Sequence, residues 1–126
     1  MSTGDPRLAQ LVASWGDARA RADVLWVERV RIQADALLKY DHEVDETDTE
    51  LEEGRALAAI EVELIGAEGL MERDERGLVA LRATSVADVL VKLDVALKIA
   101  PAPEDERCQW AALVESCRDD IAGLLP

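Results

Sequence analysis

The sequence has 126 residues, 49% of them hydrophobic, and a formal net charge of −13 at neutral pH. This length fits one domain with one modest core, so we expect a single helical-bundle domain over residues 1–126. Phe is absent and aromatic residues make up 3% of the chain, a composition that favours helices over a β-rich core. Nothing resembles a signal peptide, and no uncharged apolar run approaches the ~20 residues of a membrane span. We therefore expect a soluble, cytoplasmic protein.

The first predicted helix begins at Asp5 and Pro6 and runs to about Tyr40. Asp5 can accept backbone N–H bonds as an N-cap, and Pro6 suits the first helical position because its φ is preset. Apolar residues then recur at intervals of three and four. They are Leu8, Leu11, Val12, Trp15, Ala18, Ala22, Leu25, Trp26, Ile32 and Leu37. Trp15 and Trp26 fall on nearly the same face, so we expect both to anchor the core.

A second helix is expected to begin at Thr47 or Thr49, since a glutamate follows each of them three residues later, as in a capping box. Apolar residues continue at heptad-like spacing: Leu57, Ile60, Leu64, Ala67, Met71, Leu78 and Leu81. Asp74 stands where another apolar residue is due, in the charged run "MERDERG" and close to three glycines. We therefore expect this helix to be kinked, frayed or split within residues 69–77.

Two further helices complete the predicted fold. Ser85 and Asp88 form another capping pair ahead of an apolar face, and Pro101 ends that third helix. The fourth helix is expected from about Pro103 to Leu124, with acidic residues in its first turn that complement the helix dipole. Short connections between long amphipathic helices predict an all-α fold, an antiparallel bundle of about four helices.

Two cysteines, Cys108 and Cys117, lie nine residues apart in the predicted fourth helix. At about 100° per residue they point to opposite faces of that helix, so they cannot pair or share a zinc ion within one chain. We expect both to be small, buried or half-buried residues in a reducing compartment.

Almost the whole charge imbalance lies in one segment. Residues 41–75 hold fourteen acids and two bases, whereas the rest of the chain holds thirteen acids and twelve bases. The negative charge of this segment repels phosphate groups. We therefore expect no direct binding to nucleic acid and none to a membrane surface. A basic protein surface is the natural partner. The alternative is that the acids pair with arginines of the first helix, or only keep the protein soluble; those arginines are Arg19, Arg21, Arg29 and Arg31.

The candidate partner-binding residues form two groups. Five glutamates of the second helix project within ~60° of one another: Glu50, Glu61, Glu68, Glu72 and Glu75. The acidic run before that helix adds Asp41, Glu43, Asp45 and Glu46. On a straight helix the five glutamates span ~37 Å along one edge, a line of negative charge that could imitate a phosphate backbone.

Sites for metal ions and nucleophilic catalysis are poorly supported by the sequence. The acids of residues 41–52 match calcium-loop spacing, but Glu46 replaces the glycine of the sharp turn and Asp48 replaces an apolar residue. His42 is the only histidine; with Asp45 or Glu46 it gives an incomplete metal half-site, and alone it argues against Ser-His or Cys-His catalysis. We expect no catalytic residue, no metal and no cofactor.

One enzymatic alternative uses carboxylates alone. The pairs Glu50-x-x-Glu53 and Glu72-x-x-Glu75 are similar to the acidic motifs of all-α nucleotide pyrophosphohydrolases. The resemblance implies that these four glutamates would hold Mg²⁺ near the phosphates of a nucleotide. The second pair departs from that pattern by ending in Glu rather than Asp, and no set of Lys or Arg residues is placed to read the nucleotide.

Two segments, "GDPRLAQLVASW" at residues 4–15 and "RATSVADVLVKLDVAL" at residues 82–97, resemble small helical proteins of α-proteobacterial genomes and their prophages. The shared features are an early Asp-Pro, a Trp in the first helix and a capped helix that carries Lys-Leu. No activity is assigned to those proteins, so the resemblance carries over no functional residue. It favours a phage-related or mobile-element role.

These observations predict a non-enzymatic acidic protein that binds a basic protein surface. A nucleic-acid-binding groove on another protein is such a surface, and an acidic edge lying in it would act as a phage-type inhibitor that imitates nucleic acid. The alternative is a homo-oligomeric structural or interaction protein, in which exposed parts of the apolar faces form the interface and the acids serve solubility.

Overall fold

The computed structural model describes residues 4–99 and 107–125. These residues form four helices: α1 (Pro6–Tyr40), α2 (Glu52–Ala80), α3 (Val86–Ile99) and α4 (Arg107–Leu124). No strand occurs in the described part of the chain, so the all-α, four-helix prediction is confirmed. None of the helices in these residues has both the length and the apolar character that crossing a membrane requires.

The start of α1 follows from its sequence as predicted. The carboxylate of Asp5 accepts the N–H of Arg7 at 2.9 Å, and its carbonyl accepts the N–H of Ala9 at 3.1 Å. Asp5 is therefore the N-cap, and α1 runs without a break to Tyr40. It ends where Asp41 takes a left-handed φ of 58° and donates its N–H to the carbonyl of Leu37 at 2.9 Å.

The second helix begins later than predicted, at Glu52 rather than at Thr47 or Thr49. Asp45 accepts both the N–H of Thr47, at 2.8 Å, and its hydroxyl, while Asp48 accepts the N–H of Asp45 at 2.9 Å. These local bonds hold the segment in turns, so the two predicted capping boxes do not form. Once begun, α2 stays helical through residues 69–77, so it is not split there.

The chain forms two compact units, each of which draws on both α1 and α2. One unit, called here the hairpin unit, is Asp17–Met71. The other, called the terminal unit, comprises the chain up to Gly16 and the chain from Glu72 onward.

Two apolar clusters form the core of the hairpin unit. The first contains Ala22, Leu25, Ile60, Leu64 and Ala67, and the second contains Ala36, Val44 and Leu57. Ion pairs run in opposite order along the two helices, with Arg21 on Glu63 and Lys39 on Glu53, so these helical segments pair as a hairpin. Val44, in the loop that connects them, is 2% exposed and packs into the second cluster.

The terminal unit has its own apolar cluster, made of Ala83, Val89 and Cys117 with Leu93 packed against them. Cys117 is 1% exposed, and burial raises the pKa of its thiol. The side chain of Cys108 and the predicted boundaries at Pro101 and Pro103 lie outside the described residues.

The capping pair predicted for α3 forms only in part. The hydroxyl of Ser85 accepts the N–H of Asp88 at 3.2 Å, as expected. The carboxylate of Asp88 accepts the N–H of Asp5 at 3.2 Å. Asp88 thereby joins the start of α3 to the start of α1 inside the terminal unit.

The two tryptophans predicted to anchor the core differ in burial. Trp15 is 2% exposed, which confirms the prediction, whereas Trp26 is 46% exposed, so that prediction is wrong. Leu25, the neighbour of Trp26, is 1% exposed and takes the core position instead.

Candidate functional site

Negative charge is concentrated in the hairpin unit. Asp17–Met71 holds fifteen acidic side chains against six basic ones, so this unit carries −9 of the total of −13. The term acidic surface is used below for seven of these acids: Asp41, Glu43, Asp45, Glu46, Glu50, Glu61 and Glu68. Every one of them is at least partly exposed.

The loop between α1 and α2 supplies the first part of the acidic surface. Asp41, Glu43 and Asp45 are exposed, and Glu46 is half-buried with its carboxylate 3.9 Å from the guanidinium of Arg29. The hydroxyl and backbone N–H of Thr47 hold the pKa of Asp45 below its usual range, since both donate to the charged carboxylate. Asp45 therefore keeps its charge at neutral pH while shaping the loop.

Basic side chains of α1 neutralise part of the acidic surface. Glu61 accepts a hydrogen bond from Arg29 at 2.8 Å, and the same guanidinium lies 5.2 Å from the centre of the Trp26 ring. Arg31 lies near acids of its own helix, within 4.0 Å of Glu28 and 3.8 Å of Asp35. The pairing expected as an alternative thus occurs for some of the acids.

Other members of the acidic surface are left uncompensated. Within residues 4–99 and 107–125, no ion pair is made by Asp41, Glu43, Glu50 or Glu68, and each of the four is exposed. Exposed charges of one sign that lack local partners produce a field that extends about 8 Å into physiological salt. These four residues are the part of the predicted site that remains open to a partner.

Two of the predicted partner-binding residues lie in the terminal unit. Glu72 pairs with Arg76 one turn further along α2. Glu75 is only 9% exposed, and its Oε2 accepts the indole N–H of Trp15 at 3.0 Å. Glu75 is therefore withdrawn from any exposed edge. A buried Trp needs an acceptor for its N–H, and this need was the sequence signal for a buried acid.

Exposed apolar side chains accompany the acids in the hairpin unit. They are Val24, Trp26, Val27, Val30, Leu37, Leu38, Val62, Ile65 and Leu70, each at least 44% exposed. Three of them, Trp26, Val30 and Leu37, project within about 40° of one another on α1. Exposed apolar side chains that share one face of a helix are candidates for a binding surface.

No metal centre is found in the described residues. No group of three or more His, Cys, Asp or Glu side chains there is arranged to hold an ion. Of the four carboxylates of the pyrophosphohydrolase-like pattern, Glu50 and Glu53 belong to the hairpin unit, and Glu72 and Glu75 belong to the terminal unit. His42 is exposed, with its Nδ1 3.0 Å from the carbonyl of Glu43 and its ring 6.0 Å from that of Tyr40.

Comparisons with protein-family models, with curated proteins and with solved structures found no match.

The terminal unit contains a buried network of charged and polar side chains that the sequence patterns did not predict. Lys92 is fully buried, and its ammonium donates to Asp120 at 2.6 Å, to Ser116 at 2.7 Å and to the carbonyl of Leu81 at 2.9 Å. The hydroxyl of Ser116 in turn donates to the carbonyl of Val79 at 2.9 Å. All three ammonium donors are used, and free carbonyls at the end of α2 are satisfied, so this network is structural.

Proposed function

We propose that the protein is a non-enzymatic binding protein whose hairpin unit engages a basic surface on another protein. The observation that carries this proposal is the uncompensated charge of Asp41, Glu43, Glu50 and Glu68, exposed on a unit that carries −9. Like charges held together on a surface repel one another, and a basic partner relieves that repulsion. Complementary charge also raises the rate at which partners meet.

The exposed apolar residues give such a partner something to pack against. Interfaces commonly combine an apolar centre with a polar rim, and a Trp or Arg near the centre often contributes most of the affinity. Trp26 is stacked with Arg29, which in turn donates to Glu61, and this group supplies that combination on the hairpin unit. The expected partner surface is therefore basic with apolar side chains between its charges.

A nucleic-acid-binding groove is the partner surface that fits this charge best. In that form of the proposal the protein is an inhibitor of the phage or mobile-element type, which excludes DNA or RNA by occupying the groove. Removal of Glu75 from the edge shortens the line of acids that would imitate phosphates. The imitation then rests on the loop acids together with Glu61 and Glu68.

Binding at different salt concentrations tests the proposal. A partner is captured from host extract at low salt and purified, and its dissociation constant is measured at about 50 and 300 mM salt. We expect at least a tenfold loss of affinity at the higher salt, because screening weakens exposed charge pairs. An affinity that barely changes with salt contradicts the proposal.

Charge-neutral variants locate the interface. The triple variant Glu43→Gln, Glu50→Gln, Glu68→Gln is compared with a matched control in the terminal unit, Asp94→Asn, Glu115→Gln, Asp119→Asn. Both sets remove three exposed carboxylates. We expect the first set to weaken binding about tenfold or more and the control to change it less than about threefold. Equal losses in both would show that only net charge matters.

Self-association is the second candidate function, and the nine exposed apolar side chains of the hairpin unit favour it. In this form the Trp26 face of α1 contacts another copy of the chain, and the acids keep the assembly soluble. Light scattering over a hundredfold range of concentration measures it directly. A constant monomer mass argues against self-association, whereas a dimer that dissociates in a Val30→Ser, Leu37→Ser variant supports it.

A further inference from the structure

An open groove of about 480 Å³ lies in the terminal unit between the first part of α1 and the last part of α2. Its polar lining comes from Arg7, Gln10, Ser14, Arg73 and Asp74. Small-molecule sites in proteins have volumes of roughly 300–1,000 Å³ and combine apolar walls with a few polar groups. The groove has the size and the mixed lining of such a site, and none of its lining residues belongs to the acidic surface.

Asp74 is the most unusual residue of this groove. Its side chain is 2% exposed, and its Oδ2 is buried and accepts no hydrogen bond from the described residues. The other oxygen, Oδ1, has only a long contact of 3.5 Å with the guanidinium of Arg73. A buried carboxylate without donors is strongly unfavourable, and the apolar pattern of α2 calls for an apolar residue here. The position is explained if a ligand supplies the missing donor.

The two arginines of the groove differ in availability. Arg7 is engaged by Asp5, which accepts its Nε at 3.3 Å and its Nη2 at 3.0 Å. Arg73 is 68% exposed and has no such bidentate partner. Its guanidinium is thus free to bind an anionic group that enters beside Asp74.

The remaining wall of the groove is apolar. It is formed by Leu11, Ala80 and Leu81, together with Gly77, against which Leu11 packs closely. A Cβ at Gly77 would lie 3.0 Å from Leu11 Cδ2, which is tighter than ordinary packing. A bound molecule therefore meets a carboxylate and a guanidinium next to a small hydrophobic surface.

We propose that this groove binds a small zwitterion of the amino-acid class. The ligand's ammonium pairs with the carboxylate of Asp74, its carboxylate pairs with Arg73, and its side chain packs on the wall formed by Leu11 and Leu81. A simple anion would be repelled by the carboxylate of Asp74, and a simple cation would be repelled by the guanidinium of Arg73. A molecule that carries both charges on neighbouring atoms satisfies both groups at once.

Titration calorimetry of the full chain with the twenty L-amino acids and a set of dipeptides tests the proposal. We expect at least one probe to bind with a Kd below about 1 mM. For the tightest probe, analogues that lack either the ammonium or the carboxylate should bind at least about tenfold more weakly. No binding by any probe up to about 10 mM overturns the proposal, as does equal binding of either analogue.

Two variants place the ligand in the groove. Asp74→Asn and Arg73→Gln are each expected to weaken the tightest probe at least about tenfold, because each removes one charge partner. The matched control for the second is Arg76→Gln, since Arg76 is equally exposed at 68%, lies on the same helix and does not line the groove. Asp74→Asn is nearly isosteric, so circular dichroism should confirm that it folds. Unchanged binding in Asp74→Asn overturns the proposal.

Discussion

Trp15 donates its indole N–H to Glu75 at 3.0 Å, and the two residues are 2% and 9% exposed. The bond joins α1 to α2 inside the terminal unit. It also explains why a glutamate that projects with the other acids of α2 contributes nothing to the acidic surface. A carboxylate held by a buried donor is part of the interior of that unit.

Replacing Trp15 by Phe removes this donor while keeping an aromatic ring. We expect the free energy of unfolding to fall by about 1–3 kcal/mol, since the change leaves a buried carboxylate short of a hydrogen bond. Trp26→Phe is the matched control; at 46% exposure it should cost less than about 0.5 kcal/mol. Urea unfolding measures both, and equal losses would mean that the Trp15 bond contributes little.

The network around Lys92 predicts a large effect from a single substitution. Lys92→Met leaves Asp120, 5% exposed, without its cationic partner, and we expect a loss of about 3–5 kcal/mol. Adding Asp120→Leu to that variant should restore part of the stability, because the unpaired buried charge is then removed. Lys98→Met is the control, since Lys98 is 49% exposed and pairs one turn away with Asp94; it should change stability by less than about 0.5 kcal/mol.

Close packing of the acidic loop against α2 depends on Gly54. A Cβ at this buried position would lie 1.9 Å from the carbonyl oxygen of Asp48, a backbone atom that cannot rotate away. We expect Gly54→Ala to destabilise the protein by about 2–3 kcal/mol. Gly66, also in α2, has no atom within 4 Å of the same point, so Gly66→Ala should stabilise by about 0.5–1 kcal/mol. Thermal unfolding measures the Tm of both variants, and a shift of both Tm values in the same direction would contradict this prediction.

The N-cap of α1 should make stability sensitive to acid. Hydrogen bonds from the side chain and the backbone of Arg7 lower the pKa of Asp5. Because the folded pKa lies below the unfolded value of about 4, Asp5 stabilises the fold above that pH, and this contribution disappears as the pH falls through the lower folded value. Wild type should therefore lose more stability than Asp5→Asn between pH 5 and pH 2, measured by urea midpoints. A larger loss in the variant would contradict the sign of the shift.

Local sequence rules predict the start of a helix correctly where the side chains at that position favour a single backbone conformation. Asp5 and Pro6 marked the start of α1 because cap and φ preference agree there. The start of α2 was missed because Asp45 and Asp48 offer the backbone other bonds than those expected from Thr47. Where several polar side chains can bond to the same backbone groups, the sequence alone does not determine where the helix begins.

The wrong or missing predictions of which side chains are buried have a different cause, namely contacts between helices. Leu25 and Trp26 both fit intervals of three and four, and only packing against α2 decides that Leu25 enters the core. Asp74, Glu75 and Lys92 are buried although they are charged. Glu75 and Lys92 have partners that come from other helices, and Asp74 lines the groove for which a ligand is proposed. Periodicity within one helix carries no information about either.

The position of Lys92 has a consequence for the order in which the chain becomes structured during synthesis. Two of the three acceptors of its ammonium, Ser116 and Asp120, belong to α4. Until α4 leaves the ribosome, α3 would have to bury an unsatisfied cation beside Val89 and Val95, which is strongly unfavourable. The terminal unit therefore completes its folding after α4 is made, while every residue of the hairpin unit has emerged earlier.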